Sequence, residues 1–142
     1  MKGFLKEEKR WILISLAVII VLGAALRFYR AGHQSLWTDE ISSAIISGLK
    51  ISEIVSRSVY PDNVDIRVEE PPMPFILMHF SLGLGESEFT LRLPSVIFGV
   101  LSIAAIFLAA REIFGGRTAL LSAFLLSISF LHILYSQEAR GY

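Results

Sequence analysis

Residues 11–29, WILISLAVIIVLGAALRFY, decide the fold class. From Trp11 to Leu26 only Ser15 and Gly23 depart from apolar types, and Phe28 and Tyr29 carry the run to the roughly twenty residues that cross a bilayer. The same bias runs through the chain: of 142 residues, 54% are hydrophobic and only 18% charged, with a mean hydropathy of +0.60. That leaves too little polar surface to wrap a soluble domain of this size, so the sequence predicts a membrane chain. Lys2, Lys6, Lys9 and Arg10 give the competing reading of a signal peptide, but the run is long and no small-residue cleavage site follows Arg27-Phe28-Tyr29-Arg30. The absence of cysteine excludes a disulfide framework, a thiolate metal site and a cysteine nucleophile.

Two further apolar runs, residues 93–110 and 118–135, flank a turn containing Arg111, Gly115, Gly116 and Arg117 and read as a transmembrane hairpin. Residues 73–85 contain Pro74 and His79 and, at about 1.5 Å rise per residue, fall short of the hydrocarbon core. They read as an interfacial helix. Sidedness tests the choice, because the positive-inside rule puts both the basic amino-terminal tail and the arginines of the turn in the cytoplasm. Three spans satisfy this and four do not. The expected fold is therefore an all-α integral membrane protein of the cell membrane with spans at about 11–29, 93–110 and 118–135. Its outer loop, about residues 31–90, holds short amphipathic juxtamembrane helices, and residues 136–142 share its side.

Charge supports the asymmetry. Basic and acidic side chains cancel at 13 each, yet between Ala31 and Pro72 seven acidic residues face three basic ones. Thr38 reads as an N-cap, with Asp39 and Glu40 in the first turn of a helix marked by Ile41, Ile45 and Leu49 and closed by Gly48 or Lys50. A second short helix is expected from Ser52-Glu53 to about Val59, then a turn at Tyr60-Pro61-Asp62-Asn63 and an extended entry through Pro71-Pro72. Gly83-Leu84-Gly85 lacks the spacing of a phosphate loop. The patterning gives no reason to expect a nucleic-acid partner.

Asp39-Glu40 follows the first membrane exit by about ten residues, behind Trp37, an interfacial anchor. A carboxylate there can act as a general base toward a hydroxyl or take a hard cation through oxygen ligands. It can also do no more than favour the positive end of a helix, worth about 0.3–1 kcal/mol. Two adjacent carboxylates alone do not define a divalent-cation site. Glu138 and Arg140 end the third run; an arginine at headgroup depth can hold a phosphate, while Tyr, Arg and Glu there also make an ordinary interfacial anchor. Arg27 closes the first span and either snorkels or turns inward to a lipid phosphate. His79 and His132 lie in apolar surroundings without partners at metal spacing, and no nucleophilic triad can be assembled.

The order of these segments is more specific than any one of them. Leu26-Arg27-Phe28-Tyr29-Arg30 is followed by Ser35-Leu36-Trp37-Thr38-Asp39-Glu40 and by Glu70-Pro71-Pro72 with an apolar helix ending at His79. Leu91-Arg92-Leu93-Pro94-Ser95, Phe114-Gly115-Gly116-Arg117 and Tyr135-Ser136-Gln137-Glu138-Ala139-Arg140 complete the set. The series resembles the amino-terminal part of polytopic glycosyltransferases of the GT-C architecture, similar to dolichyl-phosphate-mannose protein mannosyltransferases and the aminoarabinose transferase of lipid A.

The resemblance implies transfer of a sugar, with inversion, from a polyprenyl-phosphate donor to a hydroxyl acceptor on a protein, lipid or glycan at the extracytoplasmic face. It makes Asp39 the catalytic base, Glu40 its acidic neighbour and Glu138 the second acidic residue, with Arg140, Arg27 and Tyr142 toward the lipid phosphate. Glu70 departs from relatives, which often carry His or Lys there, so no phosphate role carries over to it. The resemblance also implies that the 142 residues are the leading part of a longer enzyme and incomplete alone. A small non-catalytic membrane protein that binds a polyprenyl phosphate or a partner subunit is the alternative. A transporter ranks lower, because these charges stand at span ends rather than at the midplane.

Overall fold

The computed structural model describes residues 2–56 and 71–140. Seven helices lie among them: α1 (Lys2–Phe28), α2 (Thr38–Ser47), α3 (Ile51–Ser56), α4 (Pro72–Leu82), α5 (Glu88–Phe114), α6 (Gly116–Ser127) and α7 (Phe130–Ser136). The expected turn at residues 60–63, and Glu70, lie outside the described residues. Two helices, at Arg10–Phe28 and Glu88–Phe114, are long and apolar enough to cross a membrane, and α6 with α7 makes a third if the bent pair is one span. The helix at Pro72–Leu82 is apolar but short, as its prolines and length predict.

The contacts divide the chain into two units, one of Met1–Tyr29 with Val96–Ser136, the other of Arg30–Ser95 with Gln137–Tyr142. In the first, Ile19, Ile103, Phe107, Ala110, Ala119 and Ala123 form the core, backed by Ile12, Leu16, Ile20, Leu120 and Leu126. Large apolar side chains such as Val18, Val21, Leu108 and Leu121 point outward, more than half exposed. Such a surface suits lipid, where close packing rather than burial from water holds helices together. Ala119, Ala123 and Ser127 make the small-residue stripe of α6. A Cβ on Gly116 would meet Ile12 Cδ1 at 2.6 Å, and one on Gly23 would run into Ile103 Cδ1 and come within 3.2 Å of Ser127 Cβ. Ile12 beside Gly116 and Gly23 beside Ser127 set α1 and α6 parallel, while Gly23 beside Ile103 and Arg27 beside Gly99 set α5 antiparallel to α1. Gly115, with φ of 84°, is the single residue between α5 and α6 and tightens the expected turn to a corner.

Residues 118–135 read as one continuous span, but α6 and α7 meet at a 60° bend over Ile128 and Ser129. Carbonyls at such a break lose their partners on the next turn and must find others inside the protein. Arg27 supplies them. Its buried guanidinium donates from Nη2 to the Leu126 carbonyl (3.1 Å) and from Nη1 to the Ser127 carbonyl (3.0 Å) and the Gly23 carbonyl (2.9 Å). Nη2 also donates to His132 Nδ1 at 2.8 Å. A guanidinium only donates, so Nδ1 accepts and Nε2 carries the hydrogen, donated to Ser102 Oγ at 3.0 Å; Ser102 in turn donates to the Gly99 carbonyl.

In the second unit Ile46, Ile54 and Phe75 form one apolar cluster, and Met78, Leu91 and Ala139 another with Leu36, Ala44 and Leu82. The cap of α2 is Trp37, not Thr38: Glu40 is the third helical residue and reaches back to the Trp37 N–H, which leaves Thr38 in the first turn. Gly48 closes the helix, as expected. Pro71 and Pro72 open α4 where a missing N–H costs nothing, and His79 Nδ1 donates to the Ser47 carbonyl at 2.8 Å, tying α4 to the end of α2.

Replacing Arg27 by Met removes the side-chain donor of the Ser127 carbonyl in an apolar surround and leaves the Leu126 carbonyl with only the long bond from the Ser129 N–H at 3.3 Å. The expected loss is about 1–3 kcal/mol, the weight of one unsatisfied buried carbonyl, read from denaturant unfolding in mixed micelles followed by circular dichroism. Arg27→Lys should restore only part, since an ammonium cannot reach a fork of four acceptors.

Candidate functional site

Successive helical residues point about 100° apart, so Asp39 and Glu40 cannot share a surroundings. Glu40 turns inward at 2% side-chain exposure, and Asp39 turns outward at 60%. The inward carboxylate meets Arg92 from the first turns of α5, with Arg92 Nε donating to Oε1 at 2.9 Å and Nη2 to Oε2 at 2.7 Å. This bidentate pair is the charge-assisted geometry with the strongest directional preference. Two main-chain donors complete the shell, the Ala139 N–H on Oε1 at 2.7 Å and the Trp37 N–H on Oε2 at 3.1 Å.

Burial by itself pushes the Glu40 carboxyl up. The hydrogen bonds from Arg92, Ala139 and Trp37, with the positive charge of Arg92, outweigh it and hold the group below the usual carboxylate range. Glu40 is therefore an ionised, fully occupied acceptor.

The Ala139 bond has a local consequence. Ala139 is fully buried in the cluster with Met78 and Leu91, so the residue after it lies against the start of α2. Arg140 Nη2 stands 2.6 Å from Asp39 Oδ2, with the arginine 29% exposed. A carboxylate and a guanidinium thus face the surface together beside a buried ion pair. Glu138, half-buried, sits on the same segment one residue before Ala139.

Of the expected site residues, Asp39, Glu40, Glu138 and Arg140 are gathered in this unit. Arg27 belongs to the other unit, its guanidinium occupied by carbonyls and His132. Tyr142 lies outside the described residues. Arg92 was missed among site candidates, although its signal was present: a lone arginine at the start of an apolar run, in a chain whose outer loop is acidic.

A family model described as dolichyl-phosphate-mannose-protein mannosyltransferase matches residues 69–140. An uncharacterized protein of Aquifex aeolicus is 34% identical over 138 aligned residues, which cover 92% of this chain and 26% of that protein. The chain thus spans about a quarter of the length of the relative it matches. No solved structure matches the chain.

Because the folded carboxyl of Glu40 sits below its unfolded value of about 4.3, its contribution to stability is complete above that pH and is lost as pH falls through the lower folded value. Acid unfolding followed by circular dichroism should therefore show a component in the wild type that Glu40→Gln lacks. The stability gap between the two should be widest near neutrality and close in acid.

Proposed function

The chain belongs to the dolichyl-phosphate-mannose-protein mannosyltransferase family, and on that premise we propose that Asp39 and Arg140 form the reacting pair of an inverting glycosyl transfer. The donor in this reading is a sugar on a polyprenyl phosphate, and the acceptor is a hydroxyl. The observation that carries it is the 2.6 Å approach of Arg140 Nη2 to Asp39 Oδ2, with Asp39 exposed and Arg140 partly exposed.

The chemistry asks for little more. A phosphate is already a competent leaving group, so one base and one cation suffice without a general acid. Asp39 takes the acceptor proton as the hydroxyl oxygen bonds to the anomeric carbon, and the bond from that carbon to the phosphate oxygen breaks on the opposite face. Arg140 receives the charge that builds on the departing phosphate, in the bidentate manner that suits a guanidinium. Glu40 cannot share the proton, because its oxygens are filled by four donors. Arg27 drops out of the phosphate-binding set in this reading, since its N–H groups hold the break between α6 and α7.

The side of the membrane follows from charge. Arg111 and Arg117 flank the corner at Gly115, and with the basic amino terminus they favour the cytoplasm. The parallel course of α1 and α6, with α5, which joins them in the chain, running back antiparallel, supports three crossings. In this reading Asp39 and Arg140, on segments that follow the first and third spans in the chain, stand on the extracytoplasmic face.

Asp39→Asn should lower turnover about 10²–10⁴-fold, the usual weight of a positioned base, while donor affinity changes little. Arg140→Gln should instead weaken donor binding. Release of polyprenyl phosphate from a labelled donor, in membranes carrying the protein, measures both; an Asp39→Asn variant with near-wild-type turnover would sink the assignment.

A further inference from the structure

We propose that Arg92 is a positioning residue for this transfer: it touches neither donor nor acceptor, and through Glu40 it fixes where the Ala139–Arg140 segment sits on α2. The proposal rests on the reading of Asp39 and Arg140 given above.

Arg92 is 2% exposed, and every one of its five N–H groups has an acceptor. Nε and one hydrogen of Nη2 go to the two oxygens of Glu40. Nη1 donates to the carbonyls of Ala31 and Gln34, each at 2.9 Å, and Nη2 to that of Ser35 at 3.4 Å. One planar fork therefore joins three pieces of chain: the 31–35 turn that leads into α2, the first turn of α2, and α5.

A fourth piece hangs on the same carboxylate. Glu40 Oε1 accepts from Arg92 Nε and also from the Ala139 N–H. The apolar cluster of Met78, Leu91 and Ala139 pulls that segment in, but hydrophobic contact is non-directional and sets no register. The 2.7 Å bond from the Ala139 amide does set it, because it is directional and aims one particular N–H of the segment at that oxygen. If Glu40 turned, the amide would lose its acceptor and Arg140, the next residue, would lose its fixed approach to Asp39.

Lysine cannot reproduce this arrangement. It has three donors on a single nitrogen and no planar fork, so Arg92→Lys keeps the charge beside Glu40 while losing the simultaneous grip on the 31–35 turn. Arg92→Gln removes charge and fork together.

The test uses the full chain in lipid nanodiscs, with two readouts. Backbone amide exchange at Ala139 reports the positioning itself, whether or not sugar is transferred; donor kinetics then divide kcat from KM. In Arg92→Gln, exchange at Ala139 should quicken at least about tenfold, as expected for the loss of a charge-supported acceptor. Amides of Ile103–Phe107 in the other unit should stay within about twofold of wild type. Turnover at saturating donor should fall about tenfold or more with a smaller change in KM, and Arg92→Lys should recover part of both effects. Unchanged exchange at Ala139 in Arg92→Gln overturns the proposal, as does faster exchange with unaltered kcat. Should Arg92→Gln fail to fold, Arg92→Lys and Glu40→Gln carry the same comparison, and wild-type exchange at Ala139 in both overturns it. Near-wild-type turnover in Asp39→Asn would instead remove the reading of the site, and Ala139 exchange would still judge the register claim.

Discussion

The buried ion pair of Glu40 and Arg92 is the constraint on which the second unit depends. Taking two charges out of water costs several kcal/mol for each ion, and the attraction between them offsets this only with good geometry and satisfied lone pairs. Both conditions hold. The pair is bidentate, two main-chain amides fill the remaining carboxylate sites, and three carbonyls fill the remaining guanidinium hydrogens. A pair of this kind is poor evidence for high stability, but it permits few alternative arrangements. The start of α2, the turn before it, the first turns of α5 and the 137–140 segment must all agree for it to form.

A second polar cluster does corresponding work in the first unit. Arg27, His132 and Ser102 form a chain of hydrogen bonds among helices whose outer surfaces are apolar. In such a setting every freed carbonyl needs an internal partner; at the α6–α7 break Arg27 serves the Ser127 carbonyl and adds a second donor to Leu126, which keeps a long bond from the Ser129 N–H. Gly23 and Gly99 make the closeness feasible: a Cβ on Gly99 would collide with the Ser136 side chain and come within 3.2 Å of Arg27 Cδ. An arginine at a span end that reads as a snorkelling or phosphate-binding residue thus closes a broken helix.

The division of labour between two adjacent carboxylates follows from helix geometry combined with a partner far away in sequence. As a string, Asp39-Glu40 offers two equivalent acids, and the resemblance to polyprenyl-phosphate glycosyltransferases ranks them without a physical reason. The structure distinguishes them physically: the residue that caps the helix is buried on Arg92, and its neighbour is exposed beside Arg140.

Much of the architecture was legible in the residues themselves. Apolar run length located α1 and α5, Pro71-Pro72 and the short run after them located α4, and Gly48 ended α2, because each depends on local backbone rules or on the thickness of a bilayer. Resemblance to a family gathered the acidic and basic segments on one list. Tertiary structure alone decided which side chains turned inward. Glu40 meets Arg92 across 52 residues and Ala139 across 99, and Arg27 meets Ser127 across 100. The bend between α6 and α7 stayed hidden for a related reason. Hydropathy counts apolar residues and does not register where backbone carbonyls find their partners, and the Ser127 carbonyl finds its partner at the far end of another helix.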